Sequence, residues 1–368
     1  MAGCGFSAHA VGGDDGTGGA GAMIDAEAPG CVPGFLGLCA QAPPTEGLDI
    51  TTAQTLDTDS DPRCRTYLQA GDPAICLVYV SSVSIATTGT LTVTGSRPLA
   101  IASISTVSIE GAIDVGSHGT QVGPSADQGT CAFASVPDLD IGGGGGGAGG
   151  TFTLDGGDGG IGDRDSSLGG DSTGLPGTHG AAIPIATLHG GCRGQAGGAE
   201  GVGGGNGGLG GHAGGALYLY ARQRITIPGT VRATGARGEG GATQAGGGGG
   251  GSGGFVVIES PSITITGQLS ANGGGGGQGG ARIETTDVPG RPGTDGVLGT
   301  TPAAGGFGAN NNDGRFSRGG AGGAGTVAAT AGTSSTFGGG GGGGGAGVIK
   351  LLGATRALDG STISPPPS

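Results

Sequence analysis

The stretch GGGGGGSGGFVVIESPSITITGQLSANGGGGGQGG, residues 246–280, places a strand-like segment between two runs of glycine. After the apolar run FVVI, residues 255–258, the stretch SITIT, residues 262–266, alternates isoleucine with serine and threonine, the period-two pattern of a half-buried β-strand. Polyglycine buries no side chain and loses more conformational freedom on folding than any other sequence. The flanking runs therefore need a structural reason of their own.

The segment Gly254–Gly273 recurs twice more without gaps, as Pro98–Gly116 and Ala216–Gly235. Each copy has an apolar arm, a short polar corner, and a second arm that contains a glycine. Three columns align: Val107, Ile225 and Ile263; Ile109, Ile227 and Ile265; Gly111, Gly229 and Gly267. The glycine column predicts a bend or a close approach of two backbones.

A looser copy begins at Ile75 and a more divergent one at Gly347, which makes about five repeats in all. No stretch keeps a helical period, and two-armed strand units that cannot bury a face alone are expected to stack. The sequence therefore predicts an all-β fold, a parallel β-solenoid of about five rungs. A β-sandwich of hairpins is the alternative, but the corners SPS, RQR and SIST are poor hairpin turns.

The remaining glycine lies in three excursions, Gly116–Gly215, Gly235–Gly253 and Gly273–Gly347, each between one repeat and the next. In a stack of repeats, equivalent corners fall on one edge, so we expect all three excursions to emerge together. Two interpretations remain open for them. They are either flexible linkers or extended threefold helices of the polyglycine II type, whose neighbours hydrogen-bond because no side chain intervenes.

Composition excludes several classes of protein. The 368 residues include 99 glycines, 3% aromatic residues and no tryptophan, too few large apolar side chains for one compact core. The net charge is −13 and Lys350 is the only lysine, so nucleic acid is not an expected partner. No apolar run approaches the ~20 residues that span a bilayer.

The chain begins Met-Ala-Gly-Cys, which is similar to a bacterial lipobox, and Cys4 is the predicted lipidation site. Met1 stands where leucine is usual and no apolar leader precedes it, so we expect the recorded start to lack the signal peptide. Lipidation of Cys4 would leave six of the seven cysteines, an even number that suits disulfides in an oxidising compartment. The alternative is that Cys4 is an ordinary thiol.

Spacing favours three pairs among the six remaining cysteines, although other connectivities stay open. They are Cys31 with Cys39, Cys64 with Cys76, and Cys131 with Cys192. The domain organisation follows from this pattern: residues 1–47 form a tether, 48–74 a disulfide-held cap, and 75–368 the solenoid with its glycine-rich arms.

Motifs with chemical meaning are weak. Residues 154–167 partly match the calcium-binding glycine–aspartate nonapeptide, which makes Asp155, Asp158, Asp163 and Asp165 weak calcium candidates. Ser172 lies in a G-x-S-x-G match, but such matches arise by chance in a chain that is more than a quarter glycine. No cofactor, resident metal or catalytic residue is predicted.

The repeats and glycine arrays between Ile75 and Pro365 resemble the glycine-rich envelope lipoproteins and exoproteins of myxobacteria. In composition alone they are similar to the glycine arrays of mycobacterial PE-PGRS proteins. The resemblance implies a non-enzymatic, lipid-anchored structural protein of the outer membrane, cell surface or periplasm. The alternative is a surface adhesin that binds envelope polysaccharide or another surface protein, for which Tyr218 and Tyr220 are the candidate aromatics. A polysaccharide-active β-helix enzyme is the least favoured interpretation.

Overall fold

The structure is a computed structural model. It describes residues 31–32, 34–39, 43–69, 73–127, 131–165, 172–201, 205–308 and 315–368, without the side chains of 31, 32, 38 and 39. All its regular elements are β-strands, and three sheets of six strands contain most of them. An all-β fold with many-stranded parallel sheets is therefore what the chain adopts.

Sheet 1 carries the first arm of each repeat. Its strands, in spatial order, are β20 (Val348–Leu352), β15 (Phe255–Glu259), β12 (Ala216–Ala221), β9 (Leu99–Ser103), β6 (Ile75–Val80) and β5 (Arg65–Tyr67). All neighbours are parallel except β5, which pairs antiparallel with β6.

Sheets 2 and 3 divide the second arm between them. Sheet 2 consists of β21 (Thr355–Ala357), β16 (Ser262–Ile265), β13 (Arg224–Ile227), β10 (Thr106–Ile109), β7 (Val83–Ile85) and β3 (Leu48–Ile50). Sheet 3 consists of β22 (Thr362–Ser364), β17 (Gln268–Ser270), β14 (Thr230–Arg232), β11 (Ala112–Asp114), β8 (Thr90–Thr94) and β4 (Ala53–Asp57). Two antiparallel pairs lie outside these sheets, β1 (Cys31–Val32) with β2 (Leu38–Cys39) and β18 (Ala281–Ile283) with β19 (Thr286–Val288).

The chain visits the sheets in the order 1, 2, 3 on each pass, so every repeat contributes one strand to each sheet. The predicted columns are confirmed by the register, which pairs Val107 with Ile225 and Ile225 with Ile263. The two-armed, gap-free description was wrong in two respects. The register pairs Ala216 with Phe255 rather than with Gly254, so the first arm of the third copy is shifted by one residue. The second arm is also broken into two strands at the column glycine. Each repeat therefore has three strands.

The column glycines explain that break. A Cβ atom on Gly229 would lie closer than 3.0 Å to the carbonyl oxygen of Gly111, and one on Gly267 equally close to that of Gly229. The backbone turns from sheet 2 to sheet 3 at this position, and successive turns stack in direct contact. A side chain would push two layers of the stack apart.

The main core lies between the three sheets, where the inward residues of the middle strands are buried. Leu219 of sheet 1, Ile225 of sheet 2 and Val231 of sheet 3 are all fully buried there. Successive repeats therefore share one apolar core. Full burial of such a side chain contributes roughly 1.5–3 kcal/mol to the free energy of folding.

Residues 48–74, the expected cap, supply the terminal strand of all three sheets, β3, β4 and β5. Leu48, Ile50 and Leu56 belong to the same core as the later repeats. The Cys64–Cys76 disulfide, with Cα atoms 4.8 Å apart, joins this segment to β6. The predicted boundary at residue 74 therefore lies inside one continuous set of sheets.

A second apolar layer covers the outer face of sheet 1. Tyr218, Phe255 and Val257 point away from the main core yet are fully buried, because Phe152 and Leu188 from the longest excursion pack over them. Sheet 1 is therefore covered on both faces, which accounts for the nearly continuous apolar sequences of its strands.

Candidate functional site

The three glycine-rich excursions are the largest feature outside the sheets, and all arise at one corner. They connect β11 to β12, β14 to β15, and β17 to β20, so each leaves sheet 3 and returns to sheet 1. The prediction that they emerge together is confirmed. We refer to the described residues of these excursions as the glycine bundle.

The segment 246–254 lies in the middle of the glycine bundle and is buried throughout. Its amides donate to three other segments in a repeating order, at N–O distances of 2.8–3.0 Å. Residues 246, 249 and 252 donate to segment 192–198, residues 247, 250 and 253 to 339–345, and residues 248, 251 and 254 to 233–239. Every third amide thus faces the same neighbour.

The carbonyl oxygens of this segment follow the same period toward three further segments. Residues 246, 249 and 252 accept from segment 208–214, residues 247 and 250 from 147–150, and residues 248 and 251 from 274–277. Segment 246–254 is therefore surrounded by six hydrogen-bonded neighbours. None of its backbone–backbone bonds lies within the segment itself, unlike those of an α-helix.

Segment 338–347 repeats this arrangement. Its residues 339, 342 and 345 donate to Gly144, Gly147 and Gly150, while residues 341 and 344 donate to Gly277 and Gly274. Residues 340 and 343 donate to Thr333 and Thr330. A three-residue period in two separate segments indicates a regular lattice of extended chains.

Glycine is required in this lattice because the chains touch through their backbones. A Cβ atom on Gly249 would lie closer than 3.0 Å to the carbonyl oxygen of Ala148, one on Gly250 to that of Gly274, and one on Gly251 to that of His212. Real Cβ atoms essentially never approach so closely. The neighbouring chains therefore fit only if these three positions carry no side chain.

The Cys131–Cys192 disulfide closes the longest excursion, with Cα atoms 5.6 Å apart. Cys192 also belongs to the lattice, since its carbonyl oxygen accepts the amide of Ser252 and its amide donates to the Ser252 hydroxyl at 2.8 Å. Nearby, the Phe152 ring packs edge-on against His189 and Phe255, with centroids 5.2 and 6.5 Å away. This region attaches the glycine bundle to sheet 1.

Asp114 lies at the base of the glycine bundle, where β11 ends. Its carboxylate contacts the His118 ring nitrogen at 3.0 Å, accepts the Gly116 amide at 2.9 Å, and lies 3.7 Å from the Arg232 guanidinium. Burial by itself would raise the pKa of Asp114. The hydrogen bonds and charges of His118, Gly116 and Arg232 outweigh it and hold the pKa below the ordinary value of 3.8.

The lowered pKa of Asp114 predicts an acid-dependent loss of stability. A carboxyl whose folded pKa is depressed stabilises the native state above the unfolded pKa, and this contribution disappears as the pH falls through the folded pKa. We expect Asp114→Asn to lower the free energy of unfolding by about 1–3 kcal/mol at neutral pH. The difference from wild type should shrink below about pH 4, as measured by urea unfolding.

The control for this experiment is Asp49→Asn, which changes an exposed carboxylate on sheet 2. It should leave the unfolding free energy within about 0.5 kcal/mol of wild type at both pH values. If the free energies of unfolding of Asp114→Asn and wild type differ by the same amount at neutral and acid pH, the stabilising role assigned to the charged carboxylate is wrong.

The weak calcium candidates do not form one site. Asp158 contacts the His179 ring nitrogen at 2.7 Å and accepts the His179 amide at 2.9 Å, while Asp163 is fully buried. Among the described residues, no group of three or more His, Cys, Asp or Glu side chains is arranged to hold a metal ion. Ser172, the residue of the G-x-S-x-G match, donates its hydroxyl to the Asp140 carboxylate at 2.7 Å rather than to a histidine.

Tyr218 and Tyr220 are buried, the first fully and the second to 7% exposure. The Tyr218 hydroxyl donates to Glu259 at 3.0 Å, and Glu259 also accepts the amide of Phe35 at 2.8 Å. Burial raises the pKa of Tyr218 most, and the negative charge of Glu259 raises it further. The hydroxyl therefore stays protonated and donates its hydrogen bond. The link from Phe35 to Glu259 was missed from the sequence, since 224 residues separate them and no motif marks either residue.

Two groups of predicted residues lie outside the description. Cys4 is not among the described residues, nor are the side chains of Cys31 and Cys39. The backbone register places Cys31 opposite Cys39 in the β1–β2 pair. Their predicted disulfide and the predicted lipid remain predictions.

No protein-family model, no curated protein and no solved structure matches this chain. Among the described residues, no helix is both long and apolar enough to cross a membrane. The function is therefore inferred from the geometry alone.

Proposed function

We propose that this chain is a non-enzymatic structural protein of the cell envelope, held at the membrane by lipid on Cys4. Its sheets are one parallel β-solenoid of about five rungs with a partial turn at the amino-terminal end. The glycine bundle is a packed array of polyglycine II helices, a rigid spacer that projects from one corner of the solenoid.

The observation that carries this proposal is the three-residue period of hydrogen bonds around segment 246–254. Extended helices with three residues per turn form no internal bonds, so their amides and carbonyls must be satisfied by neighbours. Three neighbouring segments accept the amides of segment 246–254 and three others donate to its carbonyl oxygens, which satisfies that requirement. Because the lattice is buried and has few side chains, it offers mechanical and proteolytic resistance rather than chemistry.

The dimensions suit a spacer. Nine residues of a threefold extended helix, the length of segment 246–254, span about 28 Å at ~3.1 Å per residue. An unstructured glycine linker of the same length would be compact and variable in length. Ordering the chains in a bundle thus gives a fixed reach.

Compartment and charge agree with this role. Four cysteines are bonded in pairs, which favours an oxidising compartment over the cytosol. The net charge of −13 disfavours nucleic acid as a partner. An adhesin that uses Tyr218 and Tyr220 as an aromatic platform is less favoured, because both rings are buried.

The experiment is the intact mass of the protein from the membrane fraction of its native host, before and after reduction. We expect a diacylglyceryl-type adduct on Cys4 and a gain of two hydrogen atoms for each disulfide reduced. Cys4→Ala provides the matched control, since it should lose the adduct and the membrane association but keep the disulfides. An unmodified protein with seven free thiols would overturn the envelope role and both disulfides, but not the strand order of the three sheets.

A further inference from the structure

A depression of about 590 Å³ lies on the corner between sheets 1 and 2, away from the glycine bundle. It spans the last three repeats and is lined by Tyr220, Arg222, Glu259, Ser260, Pro261, Leu351, Leu352, Gly353, Ala354 and Arg356. Nothing in the proposed spacer role uses this surface.

The charge of the depression is opposite to that of the protein. Arg222 and Arg356 are exposed at its rim, on a chain whose net charge is −13. Among the described residues, no salt bridge involves Arg356. The one acid in the lining, Glu259, accepts hydrogen bonds from the Tyr218 hydroxyl and the Phe35 amide.

The two arginines are well separated. Arg222 precedes β13 and Arg356 lies in β21, and the strand order β13–β16–β21 puts two strand spacings between them. The register pairs Ile225 with Ile263 and Ile263 with Arg356, so Arg222 also lies three residues away along the strand direction. The two Cα atoms are therefore about 14 Å apart. Two guanidinium groups at this distance suit two acidic groups on one extended molecule better than one small anion, because a guanidinium group has five donors and binds a carboxylate through charge-assisted hydrogen bonds.

Ser260 provides an independent indication of a ligand. Its side chain is buried to 2% exposure, and its hydroxyl has no hydrogen-bond partner among the described residues. A buried hydroxyl without a partner costs free energy, which a ligand hydroxyl in the depression would recover. Beside it, Pro261 and Leu352 give an apolar surface against which the carbon face of a sugar ring can lie.

We propose that this corner depression binds a carboxylated polysaccharide, with Arg222 and Arg356 on two carboxylates and Ser260 on a sugar hydroxyl. A densely charged phosphate polymer is disfavoured, since the overall negative charge repels it more strongly than it repels a sugar polymer with an apolar ring face. This binding site goes beyond the proposed spacer role and does not depend on lipid at Cys4.

The test uses the full chain with two matched probes, polygalacturonate and its fully methyl-esterified form, which has the same backbone without the charge. We expect binding to polygalacturonate that weakens with added salt, and no binding to the ester. The double variant Arg222→Gln/Arg356→Gln should weaken binding about tenfold or more. Arg282→Gln, an exposed arginine on the β18–β19 hairpin, is the matched control and should leave the affinity unchanged.

Ser260→Ala separates binding from folding. The wild-type hydroxyl has no partner to lose, so the variant should melt at the same temperature as wild type or higher, yet bind polygalacturonate more weakly. Absence of binding, equal binding to the ester, or unchanged affinity in the double arginine variant would each overturn the site. Equal binding of an oligonucleotide or of anionic lipid vesicles would replace the polysaccharide by a general anion surface.

Discussion

Gly249→Ala is expected to lower the free energy of unfolding by at least about 3 kcal/mol, the upper end of the usual cost of overpacking. The new methyl group would lie closer than 3.0 Å to the carbonyl oxygen and carbon of Ala148. Both atoms belong to backbone that is itself hydrogen-bonded in the lattice, so neither can move aside as a flexible side chain could. Urea unfolding of the purified protein measures the change.

Gly308→Ala, in another excursion of the glycine bundle, is the matched control. The nearest atoms to its added Cβ would be the Gln278 side-chain amide, at 3.3 and 3.6 Å, which can shift by a small rotation. We expect a change within about 0.5 kcal/mol. If the two variants were equally stable, segment 246–254 would not be packed against six neighbours, and the polyglycine II proposal would fail with it.

Removal of the Cys131–Cys192 disulfide is expected to have the second large effect. The bridge joins cysteines 61 residues apart, and the chain-entropy model assigns about 4 kcal/mol to a loop of that length. The double variant Cys131→Ala/Cys192→Ala should therefore be strongly destabilised, and the loss should appear first in the glycine bundle. Hydrogen exchange of the backbone amides resolves which region opens.

The Cys64–Cys76 bridge provides the comparison, because its cysteines are only 12 residues apart. The same model assigns it about 3 kcal/mol, and Cys64→Ala/Cys76→Ala should affect the strands near β5 and β6 before the glycine bundle. A larger loss from the short loop than from the long one, or the same pattern of exchange in both variants, would contradict this assignment.

The repeats were readable from the sequence because their signal is local. Inward residues such as Ile225 and Ile263 recur at fixed offsets from a glycine, and parallel stacking of identical offsets sets the register. The third strand was missed because it is only three residues long in most repeats, as in β14 and β17, and follows the corner glycine directly. Alternation over so few residues cannot be distinguished from a continuation of the preceding strand.

The amino-terminal strands β3 and β4 were not recognised from the sequence for a similar reason. Segments 48–50 and 53–57 lack the column glycine that identifies a repeat, although their residues pair in register with β7 and β8. Only the neighbouring strands reveal them as part of the sheets.

The sequence was enough to locate the repeats, most of their inward residues, and the common corner of the glycine-rich excursions. It placed Phe255 in the column of Leu217, whereas the register pairs Leu217 with Val256. It could not determine whether those excursions are ordered, because polyglycine carries no side-chain pattern. Their order depends on partners far apart in the chain: Gly250 donates to Gly342 and accepts from Gly150. Only the tertiary structure brings such segments together, since each extended chain has no bonds of its own and becomes stable when others surround it.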